Sequence, residues 1–355
     1  MRRACIWAWR WLFRSMDKSN TYGVIGGGAW GTALASVLAR RHAQPITLWA
    51  REAETVKAIN QHHENALFLP GIALPENIIA TQELSALGHA SVILMVAPAQ
   101  FARPLLAELA PQLGAQTTLV LCAKGVERSS LKFMSQMAEA FLPASQIAVL
   151  SGPSFAADVA RGMPTAVTLA CADAARGEDL CHEIGSAGFR PYLSTDIIGA
   201  EIGGAIKNVL AIACGIVMGK QLGESARAAT TARGFVEMQR LGEALGARPE
   251  TMAGLSGLGD LILTCASLNS RNFSLGHALG QGQKAEDVLG QRASVSEGAM
   301  SAEAVRLLAE KHQLDMPICL AVDDILAGRE SVDTAIGNLL ARPFTAESAT
   351  TTLGT

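Results

Sequence analysis

The first half of the chain alternates short apolar runs with helical periodicity. Residues 22–25, Tyr-Gly-Val-Ile, read as a strand, and helical spacing follows from Ala29 to Arg41. Residues 45–49 read as the next strand, with another helix starting near Glu52. Residues 91–96, Ser-Val-Ile-Leu-Met-Val, form an uninterrupted apolar run, as a strand buried on both faces requires. Residues 118–121 and 147–150 repeat the pattern, and 165–171 and 189–193 read as later strands. Such alternation predicts a parallel, doubly wound sheet. Beyond Thr195 and Asp196 the chain becomes Ala-, Gly- and Leu-rich, with helical stretches around 202–218, 237–247 and 301–312 and no strand-like run. The expected fold class is α/β, with a doubly wound domain over 21–195 and an all-helical domain over 196–345.

Composition supports this division. A single core rarely grows beyond about 250–300 residues, and this chain has 355. With a net charge of -3 and no clustered excess of Lys and Arg, a nucleic-acid partner is not expected. The seven cysteines have no C-x-x-C spacing and sit mostly in apolar runs. They read as buried free thiols in a reducing, cytoplasmic setting, with no metal site. The apolar stretch 202–218 carries Lys207 and Asn208, so it reads as a buried soluble helix and not as a stable membrane insertion. Residues 1–20 are set apart. Their aromatic and basic side chains interleave, and Arg10 and Arg14 break any secretory-type apolar run. A basic amphipathic anchor, a targeting arm or a start misassigned upstream of Met16 are the readings, and the last is favoured. The Thr/Ser/Ala-rich tail 346–355 is expected to fray.

Gly26-Gly27-Gly28-Ala29-Trp30-Gly31 fits G-x-G-x-x-G between a strand and a helix. Gly26 allows the tight turn, Gly28 lets the backbone approach a pyrophosphate, and Gly31 allows close helix–strand packing. In this context an ordinary Gly-rich turn is the weaker alternative, and the first domain reads as Rossmann-like. An acidic residue about 20 positions on normally binds the ribose 2′-OH. Arg51 stands there, with Glu52 beside it. An arginine can accept a 2′-phosphate, which points to NADP(H) with or without NAD(H); a solvated helix-start arginine is the alternative.

Two loops close later strands. Cys-Ala-Lys124-Gly offers an ammonium, and Ser-Gly152-Pro-Ser154-Phe-Ala156 offers small residues with free backbone donors; either alone could be a structural turn. Lys207 lies within an apolar helix one turn beyond Gly203 and Gly204, which points it into a cavity. Desolvation would lower its pKa towards working pH and suit it to general acid chemistry, with a snorkelling lysine as the alternative. Asp260 and Thr264 share a helical face, and Ser270-Arg271-Asn272 offers a guanidinium fork and an amide for a phosphate. Read alone, Arg271 fits a surface ion pair equally well.

These separated motifs resemble the bacterial NAD(P)-dependent glycerol-3-phosphate dehydrogenases from about Tyr22 to about Met316. The resemblance rests on V-I-G-G-G-A-W-G-T-A-L-A, A-K-G, S-G-P-S-F-A, G-G-A-I-K-N-V, A-R-A-A-T-T-A-R-G-F-V-E-M-Q-R-L, G-L-G-D-L-I-L-T-C and S-R-N, in that order. It implies reduction of dihydroxyacetone phosphate to sn-glycerol 3-phosphate for phospholipid synthesis, by hydride transfer to C2. Lys207 is implied as proton donor and acceptor, and Asp260 as the group that orients and charge-balances it. Lys124 would touch substrate and lie near the nicotinamide. Gly152 and Ser154 would hold substrate, and Ser270, Arg271 and Asn272 its phosphate. Ala29 and Trp30 would line the pyrophosphate turn, and Ala156, Arg271, Val295 and Glu297 would contact the cofactor. The chain departs from the family pattern at Gly27, where Ala is usual, between Cys265 and Ser270, and in the looser match around Val295 and Glu297. A homodimer is compatible with this reading. A β-hydroxyacid dehydrogenase shares the architecture, but its carboxylate substrates leave Ser270-Arg271-Asn272 unexplained. A non-catalytic NADPH sensor would leave Lys124, Lys207 and Asp260 unexplained.

Overall fold

The computed structural model describes residues 20–290 and 296–344. The expectations for the N-terminal extension before residue 20, the C-terminal tail and Val295 fall outside the described residues.

Eight strands form one sheet: β1 (Tyr22–Ile25), β2 (Ile46–Trp49), β3 (Ile78–Thr81), β4 (Val92–Met95), β5 (Thr118–Leu121), β6 (Ile147–Ser151), β7 (Thr165–Cys171) and β8 (Phe189–Ser194). Their spatial order is β3-β2-β1-β4-β5-β6-β7-β8. Strands β1, β4 and β5 are buried at every position, as their continuous apolar runs require. Between β1 and its neighbours β2 and β4 the strand order reverses. A crevice opens at such a switch point, beyond the carboxyl ends of the strands.

The sheet is parallel and doubly wound as expected except at one pairing: β6 and β7 run antiparallel, with Ser151 opposite Thr168 and Ala148 opposite Cys171. Their connection holds only a five-residue helix, Ala156–Ala160. At about 1.5 Å per residue that helix is about half the length of a five-residue strand. The chain therefore turns back at the same end of the sheet without a crossover. Strand β8 then pairs parallel to β7.

Helices cover both faces of the sheet. On one face α1 (Ala29–Arg41) and α4 (Ala174–Ile184) pack over a core that includes Leu34, Leu38, Leu48, Leu94, Leu150 and Leu180. On the other, α3 (Ala99–Leu109) packs over Ile93, Leu119, Leu121 and Val149. Between these two in sequence, α2 (Ala53–His62) follows β2.

Among the described residues no strand follows Ser194. Asp196 caps α5 (Ile197–Gly219), its Oδ1 accepting from Gly199 N at 2.9 Å. Its length and hydropathy would let α5 cross a membrane, yet it is largely buried as the central helix of a third core. Around it lie α6 (Glu224–Ala244), α7 (Asp260–Thr264), α8 (Arg271–Gly280), α9 (Glu297–Lys311), α10 (Pro317–Leu326) and α11 (Val332–Leu340). Helices α5 and α8 touch backbone to backbone. A Cβ added to Gly276 would lie 1.9 Å from the Ile212 carbonyl oxygen, and one on Gly215 2.1 Å from that of Phe273. Two buried carboxylates tie elements together. Glu237 accepts from the Ile318 and Cys319 amides at the start of α10, at 2.7 and 3.0 Å. Glu201 on α5 accepts from Ser135 N at 2.8 Å and Ser135 Oγ at 2.5 Å, linking α5 to the helix Met134–Ala138 beside the sheet.

Candidate active site

The glycine loop lies at the switch point between β1 and α1. Gly26 adopts φ 123°, a left-handed conformation few other residues tolerate. A Cβ on Gly31 would stand 1.8 Å from the Gly26 carbonyl oxygen, whereas one on Gly28 would meet nothing within 4 Å. The loop is therefore tight within the protein and open towards the crevice. The first turn of α1 carries no acidic residue and its last turn holds Arg40 and Arg41, which leaves the amino end positive for an anion. Ala29 and Trp30 begin that helix, and the buried Trp30 Nε1 has no hydrogen-bond partner among the described residues. A dinucleotide fits this set: open backbone donors, a helix N-terminus and an unused indole N–H. Arg51 lies past the end of β2, exposed and paired with Glu52 at 2.9 Å.

The second cluster gathers charges from distant parts of the chain. Lys124 follows β5, and its Nζ donates to Asp260 Oδ2 at 2.7 Å and to the Gly152 carbonyl at 3.0 Å. Lys207 projects from α5, and its Nζ donates to Asp260 Oδ1 at 2.7 Å and to Thr264 Oγ1 at 3.0 Å. Asp260 thus binds one ammonium with each oxygen while fully buried. A π-helical turn, Leu255–Gly259, leads directly into α7 and delivers the carboxylate. That turn can lie against α5 because a Cβ on Gly203 would fall 2.3 Å from the Ser256 carbonyl oxygen. Lys207 itself is 8% exposed. Burial pushes its pKa down to about 8; Asp260 opposes this fall, and Lys124 adds to it. Each ammonium has three N–H bonds, and the two described contacts on each leave one for a ligand.

Around this centre Asn272 Nδ2 donates to Asn208 Oδ1 at 2.9 Å, and Asn272 Oδ1 accepts from Gly298 N at 3.1 Å. Both ends of the Asn272 amide are thus engaged within the protein. Ser270 Oγ accepts from Phe273 N at 3.2 Å as the N-cap of α8. Arg271, next in line, is exposed. Glu297 starts α9; burial raises its pKa against the opposing charges of Arg271, Lys124 and Lys207. Ser154 Oγ donates to the Gly152 carbonyl at 3.1 Å, and Ala156 opens the short helix beyond it. The structure therefore gathers Lys124, Gly152, Ser154, Lys207, Asp260 and Glu297 around one junction between sheet and helical body. Arg51 belongs to the separate corner past β2. Sequence reasoning left out Asn208, which joins Asn272 to the Lys124 carbonyl at 3.4 Å and the Gly204 carbonyl at 3.3 Å. The one signal for it was its place next to Lys207. Among the described residues no group of His, Cys, Asp and Glu could hold a metal ion.

Comparison with known proteins adds an independent finding. Residues 21–176 match the family described as NAD-dependent glycerol-3-phosphate dehydrogenase N-terminus, and residues 196–337 match its C-terminus. A glycerol-3-phosphate dehydrogenase [NAD(P)+] of Parvibaculum lavamentivorans is 58% identical over 92% of this chain and 97% of its own length. One from Maricaulis maris is 55% identical over 94% of this chain and 100% of its own. The crystal structure of glycerol-3-phosphate dehydrogenase from Coxiella burnetii superposes with a TM-score of 0.87 at 36% identity, covering 92% of this chain and 100% of that one.

Proposed function

The chain belongs to the NAD-dependent glycerol-3-phosphate dehydrogenase family, and on that premise we propose how its residues perform the NAD(P)-linked interconversion of dihydroxyacetone phosphate and sn-glycerol 3-phosphate. The observation that carries the reading is Asp260, one buried carboxylate binding an ammonium from the sheet and another from α5. With both lysines protonated this triad has a net charge of +1. It attracts an anionic phosphate ester and stabilises negative charge developing on the C2 oxygen.

Gly26, Gly28, Ala29, Trp30 and Gly31, with Ala156, Arg271 and Glu297, would hold the dinucleotide, which would supply the hydride when bound. Lys207 Nζ then gives its proton to the C2 oxygen, so the ketone becomes an alcohol and Lys207 becomes neutral. The Lys124–Asp260 pair that remains carries no net charge, and Lys207 recovers its proton from water. In the oxidative direction neutral Lys207 takes the hydroxyl proton. Lys124, with Gly152 and Ser154, orients the carbonyl. Arg271 grips the phosphate with its exposed guanidinium; Ser270 and Asn272 set the start of α8 that carries it and contribute their remaining donors. The product is suited to phospholipid synthesis, and the cytoplasm suits the free cysteines found among the described residues.

Oxidation of NADPH and NADH with dihydroxyacetone phosphate, beside 3-keto acids and unphosphorylated dihydroxyacetone, tests the reading. Turnover with the phosphate ester alone is expected. Preference for a carboxylate substrate would overturn it.

A further inference from the structure

The motif over residues 226–241 lies in α6 and supplies nothing to the glycine loop or to the triad of Lys124, Asp260 and Lys207. Two of its residues build the helical body. Gly234 lets α6 approach α5, since a Cβ there would fall 2.6 Å from Leu210 Cδ2. Glu237 binds the start of α10. Arg227 reaches further. Its side chain is 25% exposed, and Glu224 one turn earlier orients it, accepting from Nε at 2.8 Å and pairing with Nη2 at 2.6 Å. Its Nη1 donates to the Cys265 carbonyl at 3.3 Å, 38 residues further along the chain.

Cys265 closes α7 as its C-cap. That helix has five residues, too few to be stable by its own hydrogen bonds, and its last carbonyls have no partner within it. A guanidinium suits this end in charge and in hydrogen bonding. What stands on either side gives the contact its weight. Thr264, one residue before, binds Lys207 Nζ together with Asp260. After Cys265 the chain turns, Ser270 N donating to Ser267 O at 3.0 Å and Asn269 N to Ser267 Oγ at 3.1 Å. Ser270 then caps α8 ahead of Arg271.

We infer that Arg227 is a positioning residue for the phosphate grip: by holding the Cys265 carbonyl it fixes where the turn 266–269 delivers Arg271. The inference rests on the reading of Arg271 as the group that binds the substrate phosphate. Without Arg227 the turn starts from an untied carbonyl and the Arg271 guanidinium samples more positions. The phosphate ester then binds less tightly, while proton transfer from Lys207 proceeds once it is bound.

The test is steady-state kinetics of Arg227→Ala, Arg227→Gln and Arg227→Lys with dihydroxyacetone phosphate, in the native and the Arg271→Leu backgrounds, with thermal unfolding as the folding control. KM for the phosphate ester should rise about 3- to 10-fold in Arg227→Ala and Arg227→Gln, the worth of one hydrogen bond, with kcat largely kept. Arg227→Lys should recover part of the loss, because an ammonium can still donate to the carbonyl. In the Arg271→Leu background the rise should shrink, since the group being positioned is gone. If Arg227→Ala does not fold, the Gln and Lys variants carry the same comparison. An unchanged KM would overturn the inference and leave the phosphate reading standing. So would an equal rise with and without Arg271, or a fall in kcat at unchanged KM. If Arg271→Leu alone leaves KM for the phosphate ester unchanged, the phosphate reading itself fails.

Discussion

At the scale of single residues, the proposed chemistry turns on the proton of Lys207. Lys207→Ala should lower turnover by about 10²–10⁴-fold while leaving NADPH titration unchanged. Lys207→Arg should not restore it, because a guanidinium does not give up its proton near neutral pH. Normal turnover in Lys207→Ala would move the proton transfer to Lys124. The Lys207 pKa of about 8 fixes the sign of the pH dependence. Reduction needs the protonated form, so its rate should fall as pH rises through about 8; oxidation needs the neutral form and should rise through the same value. Asp260 holds that pKa up against burial. Asp260→Asn should therefore shift the reductive profile to lower pH, which simple unfolding would not do. A profile that keeps its midpoint would show that the carboxylate does not govern Lys207. Arg271→Leu should weaken phosphate-ester binding roughly 10- to 100-fold, and an equal loss with a phosphate-free analogue would place its role elsewhere.

At the scale of elements, the close contact of α5 and α8 carries the proposed phosphate end of the site. Gly276→Val puts branched carbon where even a Cβ falls 1.9 Å from the Ile212 carbonyl oxygen. Overpacking of this kind costs about 1–3 kcal/mol, and moving α8 also moves Arg271. Urea unfolding should show the loss, and KM for the phosphate ester should rise more than KM for the nucleotide. A stable variant with unaltered KM would mean that the two helices can separate freely. The same level shows what could be read from the chain in advance. Strands β1, β4 and β5 were legible because burial on both faces demands unbroken apolar runs. Strand β3 at the sheet edge was not, since only Ile78 and Ala80 of its four residues are buried and it has only one neighbouring strand. The reversal of β7 was illegible because a hydrophobic pattern carries no strand direction. Lys207 announced itself by its charge within an apolar helix. The Lys124–Asp260 bond did not, because its partners lie 136 residues apart in sequence.

At the scale of the whole molecule, the sheet and the helical body are joined by groups that are costly to bury. Glu201 is one. Burial pushes its pKa up to about 7, although the hydrogen bonds from Ser135 pull the other way. A carboxyl raised in the folded state penalises folding wherever it is ionised. The penalty is absent below the ordinary value near 4.5, grows as pH rises, and is complete above about 7. Glu201→Gln, neutral throughout, should nearly match the native chain at pH 5 and exceed its stability at pH 8.5 by on the order of 3 kcal/mol. Urea unfolding at both pH values decides this, and an equal change at the two would sink it. The carboxylate shared by Lys124 and Lys207 has a consequence for the molecule as a proton reservoir. A phosphate ester entering beside the triad adds negative charge and raises the Lys207 pKa from its resting value near 8. Near that pH the complex must therefore draw protons from the medium as it forms. Its heat of binding should then vary with the ionisation enthalpy of the buffer, and its affinity should decline with rising alkalinity before any turnover takes place.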